Sequence, residues 1–238
     1  MQPDNFTSIP LTPGNISMYV MRTCIWNALQ QSAPSFSGHL LDVGCGRMPY
    51  KKFLLDNKYI SQYTGLDIET ALVYEEGVKP DYTWDGITMP FDDNSFDTLM
   101  VTEVLEHCPD PVLIINEMKR VLKPGGLLFF TVPFLWYLHE VPHDEYRYTP
   151  FALQRIFASC EMEEVNITAH GGWDMAMAQM LGLWIAFTKR GKSQKRWSRF
   201  LNPFIKKLMK KDMARKPVEF TNGTMINGLY GTARKKRL

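Results

Sequence analysis

The chain has 238 residues, 45% hydrophobic and 22% charged, which is enough apolar material for one ordinary domain plus an elaboration and too much for a disordered tail. Its four cysteines, Cys24, Cys45, Cys108 and Cys160, form no Cys-x-x-Cys pair; this argues against a structural zinc site or a disulfide framework and suits a reducing compartment. The net charge of +2 hides a division. Residues 1–188 carry 11 Lys/Arg against 23 Asp/Glu, and residues 189–238 carry 16 against 2, so a basic end follows an acidic body, as expected when one end meets something anionic.

In chain order, Pro10, Pro13 and Gly14 mark a loop, and a helix follows from about Ile16 to Gln30 with Ile16, Val20, Cys24 and Trp26 roughly on one face. From His39 short apolar runs alternate with helical periods, the signature of a parallel α/β sheet. Strands are expected at 40–43, 63–68, 82–84, 98–102, 127–132, 164–168 and 225–233, with helices at 48–57, 110–122 and 149–160. Asp110-Pro111 and Thr149-Pro150 each read as an N-cap followed by proline at the first helical position. Pro124-Gly125-Gly126 ends the middle helix. Residues 175–188 are apolar and Met-rich, too short to span a bilayer but long enough for a core or interfacial helix. The beginning of the chain lacks the basic-then-apolar layout of a signal peptide. The expected organisation is an N-terminal helical segment (1–37), a core (38–172 with 221–238) and a basic amphipathic insertion (173–220).

The sharpest local signal is Leu41-Asp42-Val43-Gly44-Cys45-Gly46, a strand running into a Gly-x-Gly turn. Two glycines permit a tight turn and close approach of a ligand to the backbone. A dinucleotide fingerprint would continue to a third glycine, whereas Arg47-Met48-Pro49 stands here, which weakens a pyrophosphate reading. Asp67 closes the second strand, where an acid accepts from ribose hydroxyls, and Asp85 follows the third, where a carboxylate accepts from an adenine amino group. Each acid alone reads as a cap or surface group. Three on the ligand-binding rim of consecutive strands read together as a site.

These residues, with Gly65-Leu66-Asp67-Ile68, Met89–Asp97, Val104-Leu105-Glu106-His107 and Arg120–Gly126, closely resemble the class I S-adenosylmethionine-dependent methyltransferases, in the branch with the quinone and sterol methyltransferases. The resemblance covers about residues 39–133. It implies a Rossmann-like seven-stranded sheet with an antiparallel last strand, S-adenosyl-L-methionine as cofactor and no required metal. By position it implies Asp42, Gly44 and Gly46 around the methionine part, Asp67 at the ribose, and Asp85 with Gly86 or Ile87 at the adenine. Cys45 and Ile68 fall in the same cofactor set, and Glu103 near the methionine end.

Acceptor chemistry is expected in the loop of residues 133–148, which carries His139, Glu140, His143, Asp144, Glu145 and several aromatics. Transfer from a sulfonium is an in-line displacement that mainly needs alignment, and a base only where the acceptor must lose a proton. His139 or His143 can take that proton, oriented by Asp144 or Glu140; the bland reading is a loop locked by His–carboxylate and Tyr–Arg bonds. His107 and Cys108 read as structural. A metal held by His139, His143 and Asp144 is conceivable, without support from the resemblance. The loop also resembles, more loosely, methyltransferases associated with bacterial surface polysaccharides and glycolipids.

In residues 195–217 Trp197, Phe200, Phe204, Leu208 and Met213 recur at helical steps among basic residues, an arrangement suited to lying on an anionic membrane. A helix packed on its own sheet and a dimer interface are the alternatives; nucleic acid ranks third, since the apolar positions are spaced for burial rather than base stacking. Arg234–Arg237 is either a final contact or a frayed end. The whole reads as a methyltransferase O-methylating a glycan or lipid-linked glycan, cytoplasmic and peripheral at the inner face of the membrane. A quinone or other small lipophilic acceptor is the second enzyme reading, and a catalytically silent scaffold or regulatory protein the third.

Overall fold

A computed structural model describes residues 6–69 and 79–237; the first five residues of the expected N-terminal segment lie outside the described residues. Seven strands form one sheet: β1 His39–Val43, β2 Gln62–Ile68, β3 Tyr82–Trp84, β4 Phe96–Thr102, β5 Leu122–Pro133, β6 Met162–Ala169 and β7 Gly228–Lys235. Their order is β3-β2-β1-β4-β5-β7-β6. β1 to β5 pair in parallel, and the last strand is antiparallel, the arrangement of the Rossmann-like methyltransferase sheet. The order reverses between β1 and β4, so the carboxyl ends of β1, β2 and β4 share the crevice in which open parallel sheets hold ligands.

The chain divides into two compact units. The larger comprises residues 30–132, 138–167 and 230–238 and holds nearly all of the sheet. Here β1 and β4 are buried along almost their whole length, as central parallel strands are. Helix α2 spans Lys51–Asp56, α3 Pro111–Val121 and α4 Pro150–Ser159. The two caps read from sequence form: Asp110 Oδ1 accepts from Leu113 N at 3.0 Å and Thr149 Oγ1 from Ala152 N at 3.2 Å. β5 begins at Leu122, five residues earlier than expected, because Leu122 pairs with Phe96 before the Pro124-Gly125-Gly126 turn and Leu127 pairs with Thr98 after it. The basic end of the chain is tied down rather than frayed: Lys235 Nζ donates to Leu122 O at 2.7 Å and Arg234 Nη1 to Gly125 O at 2.8 Å.

The smaller unit takes in the chain up to Leu29, Pro133–Tyr137 and Thr168–Leu229, so the N-terminal helix groups with the insertion. Helix α1 (Ile16–Ser32), α5 (Trp173–Thr188) and α6 (Gly191–Met213) share a core of Ile16, Val20, Cys24, Met175, Ala178, Ile185, Ile205, Leu208 and Met209. Asp212, on α6, accepts from Gly172 N at 3.0 Å and Met175 N at 2.9 Å, capping the first turn of α5 from a neighbouring helix. α6 continues past Pro203 without a break in the helix. That residue lies on the exposed side, where the carbonyl freed by the missing N–H can turn to water. Of the stripe read as membrane-facing, Leu208 is buried within the unit together with Ile205 and Met209 of the same helix, whereas Phe200, Phe204 and Met213 are exposed.

Candidate active site

The site is built on the rim of the larger unit. At the end of β1 the chain turns at Gly44, whose φ of +70° an L side chain rarely adopts. Gly44 N and Cys45 N both donate to Leu66 O, at 2.8 and 3.1 Å, pinning the turn to β2. The Cys45 thiol packs inward: a Cβ on Gly65 would lie 2.9 Å from Cys45 Sγ and 2.8 Å from Met48 Sδ. Cys45 therefore offers a ligand only its backbone, and burial pushes its thiol pKa up. Helix α2 does not begin until Lys51, so no helix N-terminus abuts the Gly-x-Gly turn, which agrees with the missing third glycine.

Four acids gather along this rim. Asp67, 7% exposed, accepts from Gly46 N and from Ile68 N, each at 2.9 Å. Its pKa is raised by burial, against the pull of those two bonds. Asp42 is buried; Oδ2 accepts from the Tyr63 hydroxyl, and Oδ1 has no hydrogen-bond partner among the described residues. Burial raises the Asp42 pKa to about 7, the Tyr63 bond opposing and the charge of Asp67 adding. Glu103, the residue after β4, holds a left-handed φ of +54°, where non-glycine residues are uncommon. Its N–H donates to Thr131 O at 3.1 Å and its Oε1 accepts from Thr131 Oγ1 at 2.7 Å. Asp85 is exposed, and its Oδ1 accepts from Ile87 N and Thr88 N at 2.8 and 3.0 Å; these two bonds, that to Thr88 first, hold its pKa down. Beside it Ile68 and Ile87 stand 43% and 59% exposed, with Gly86 next to Ile68.

This set fits S-adenosylmethionine. Its ammonium and sulfonium suit a rim lined by Asp42, Asp67 and Glu103, and the unpartnered Asp42 oxygen is a buried acceptor available to a cation. The ribose diol suits Asp67, and an adenine face suits Ile68 and Ile87, with Asp85 at its edge. Because a cationic ligand favours ionised Asp42, affinity for S-adenosylmethionine should fall, by about tenfold per pH unit at most, as pH drops below about 7. Asp42→Asn should flatten that slope in calorimetric titrations; a slope unchanged in the variant would remove Asp42 from the binding set.

The acceptor loop contributes a second cluster. Arg147 grips Asp144 with two bonds, Nη1 to Oδ1 at 2.6 Å and Nη2 to Oδ2 at 2.8 Å. The guanidinium holds the Asp144 pKa down to about 2. Asp144 Oδ2 in turn faces His139 Nδ1 at 3.3 Å and accepts from His139 N at 3.1 Å. Burial lowers the His139 pKa, with the Asp144 charge opposing. The His143 ring lies at the exposed surface, and it is its carbonyl that is used, accepting from His107 Nδ1 at 2.8 Å. The structure thus pairs His139, rather than His143, with Asp144.

The turn after β4, where His107 reads as structural from sequence, meets the same cluster. His107 packs edge-on against His139, with ring centroids 4.8 Å apart, and its Nε2 lies 3.8 Å from both Glu106 Oε1 and Glu140 Oε2. Glu106 is fully buried, with neither oxygen hydrogen-bonded among the described residues; burial first, then the Glu103 charge, raise its pKa well above the usual carboxylate range. Among the described residues the donors able to hold a metal ion are Glu106, His107 and His139, within 4.8 Å of one another, a different trio from His139, His143 and Asp144. The signal for it was the adjacency of Glu106 and His107 just past a strand on the rim.

Residues 41–130 match a family described as a methyltransferase domain. A ubiquinone biosynthesis O-methyltransferase of Xanthomonas euvesicatoria pv. vesicatoria (strain 85-10) is 36% identical over 101 residues, covering 39% of this chain and 41% of the relative; the chain thus spans about two fifths of the length of that curated relative. Among solved structures, a SAM-dependent methyltransferase from Archaeoglobus fulgidus superposes with a TM-score of 0.55 at 18% identity, covering 90% of this chain and 94% of that one. Phosphoethanolamine N-methyltransferase 2 of Haemonchus contortus, in complex with S-adenosyl-L-methionine, superposes with a TM-score of 0.56 at 16% identity, covering 98% and 59%. The structural likenesses speak to fold; the rim acids and the domain match speak to the family. The methyltransferase-domain match over residues 41–130 and the seven-stranded sheet are what this chain shares with the S-adenosylmethionine-dependent methyltransferases.

Proposed function

We propose that this chain O-methylates a small lipophilic acceptor bearing a phenolic hydroxyl, of the quinone type. The observation that carries the reading is the setting of His139: Leu138 and Val141 beside it are 75% and 70% exposed, an apolar approach to a carboxylate-oriented imidazole. The name of the Xanthomonas relative points the same way. S-adenosylmethionine, when bound, supplies the activated methyl group.

His139 takes the hydroxyl proton. Its lowered pKa keeps the imidazole neutral at pH 7 and thus able to accept. Asp144, kept ionised by Arg147, receives Nδ1–H, directs the basic lone pair to Nε2 and stabilises the imidazolium that forms. A weakened base matches a phenol, with a pKa near 10, better than a sugar hydroxyl, which is far less acidic. The reading places the chain in a reducing compartment, in keeping with its scattered cysteine spacing.

The test incubates the protein with methyl-labelled S-adenosylmethionine and, separately, a catechol-bearing quinone precursor and a lipid-linked glycan. Label in the aromatic ether is the expected result. Label only in the glycan would move the acceptor to the carbohydrate class. Saturable cofactor binding with no transfer to either would favour the silent scaffold.

A further inference from the structure

Helix α5 is apolar on all sides. One side packs into the α1–α6 core through Met175, Ala178 and Ile185. The opposite side carries Trp173, Met177, Met180, Trp184 and Phe187 at steps of four and three residues, and all five are between 38% and 62% exposed. Those steps keep the five within one narrow stripe. α6 extends it: the Trp184 and Trp197 rings meet at 5.3 Å, and Trp197 leads to Phe200, which is 72% exposed.

The charge around this stripe is one-sided. Residues 173–217 hold 12 Lys/Arg and only two acids, and both acids are used internally. Asp212 caps α5. Asp174 is bound by Lys211 at 3.2 Å and Arg215 at 2.8 Å. No acid of the helical pair therefore faces outward, while Lys189 Nζ sits 4.3 Å above the Trp184 ring, a cation placed at the border of the apolar stripe.

We infer that the α5–α6 pair docks this protein on an anionic lipid bilayer, the α5 stripe entering the interfacial layer and the surrounding cations meeting lipid phosphates. Charge complementarity selects this occupant. A second copy would bring the same cationic face against itself across a two-fold axis. A nucleic acid would satisfy the charge but leave Met177, Met180 and Phe187 without a partner, since backbone binding needs no aliphatic stripe. Of the α6 face that the sequence suggested, Leu208 is spent on the core, while Trp197 and Phe200 join the α5 stripe. The inference stands apart from the choice of acceptor, because docking is read without methyl donor or acceptor.

The test sediments the full chain with phosphatidylcholine vesicles, with and without phosphatidylglycerol. Binding only to the anionic vesicles is expected, weakened by about tenfold or more in Met177→Ser/Phe200→Ser and in Lys206→Glu/Lys207→Glu, with melting temperatures retained. In the unaltered chain, vesicles carrying brominated lipids should quench tryptophan fluorescence, and Trp173→Phe should lose part of the quenching. This second measurement holds even if a double variant misfolds. Wild-type protein left in the supernatant of anionic vesicles would overturn the inference. So would unchanged binding by the folded apolar variant, or a self-associated wild type that the same substitutions return to monomer. Duplex DNA binding abolished by Met177→Ser/Phe200→Ser would equally overturn it.

Discussion

Asp67→Ala should weaken binding of both S-adenosylmethionine and S-adenosylhomocysteine by about a hundredfold, the cost of two charge-assisted hydrogen bonds at about 1.5–3 kcal/mol each with some compensation by water. The carboxylate is fixed before any ligand arrives: Oδ2 holds Gly46 N and Oδ1 holds Ile68 N, each at 2.9 Å. Its remaining lone pairs are thereby aimed past the end of β2. The ribose diol is common to both ligands, so an equal loss for the two is the signature of a ribose contact. A loss confined to S-adenosylmethionine would instead mean that Asp67 acts through the sulfonium charge. Retained affinity in a folded variant would remove Asp67 from the site. Since Asp67 also anchors the Gly46 turn, the melting temperature is measured alongside, and Asp67→Asn, which keeps one acceptor oxygen, should bind with intermediate affinity.

His139→Ala should lower kcat by about 10²–10⁴, the usual span of general-base catalysis, while leaving cofactor affinity near that of the unaltered chain. The imidazole must be neutral to accept a proton. The wild-type rate should therefore fall on the acid side as pH drops through the His139 pKa, which burial places below the ordinary histidine value. Asp144→Asn should reduce kcat as well and move the acid limb to still lower pH, because the carboxylate is the group that raises the His139 pKa. His143→Ala should cost little, its ring being exposed and its carbonyl surviving the substitution. A variant lacking His139 that still turns over normally, or one lacking His143 that loses activity while His139→Ala does not, would transfer the role. A loss shared equally between turnover and cofactor binding would make His139 a structural residue of the loop.

The sheet and the cofactor rim were legible because their signals are local. A buried parallel strand needs an unbroken apolar run, a tight turn at its end needs Gly44, and an acid at or just after the carboxyl end of each of three consecutive strands must come to the same edge once the strands are parallel. Caps at Asp110 and Thr149 are likewise settled within four residues. All of that the chain wrote into its sequence.

Partner choice across long separations was decided only by tertiary structure. Whether Asp144 would orient His139 or His143 depended on the loop path and on Arg147 claiming both carboxylate oxygens from three residues away. Glu106 and His107 joined His139 because the turn after β4 and a loop more than thirty residues later meet on one rim, a contact that no periodicity encodes. The insertion shows the same limit. Helical spacing established that 195–213 has an apolar face but not what covers it; α1 and α5 cover Ile205, Leu208 and Met209 with their own apolar sides and leave Phe200 and Phe204 exposed. Because α5 is apolar all round, one of its faces could be buried against α1 and α6 while the other remained exposed, and only packing determined which.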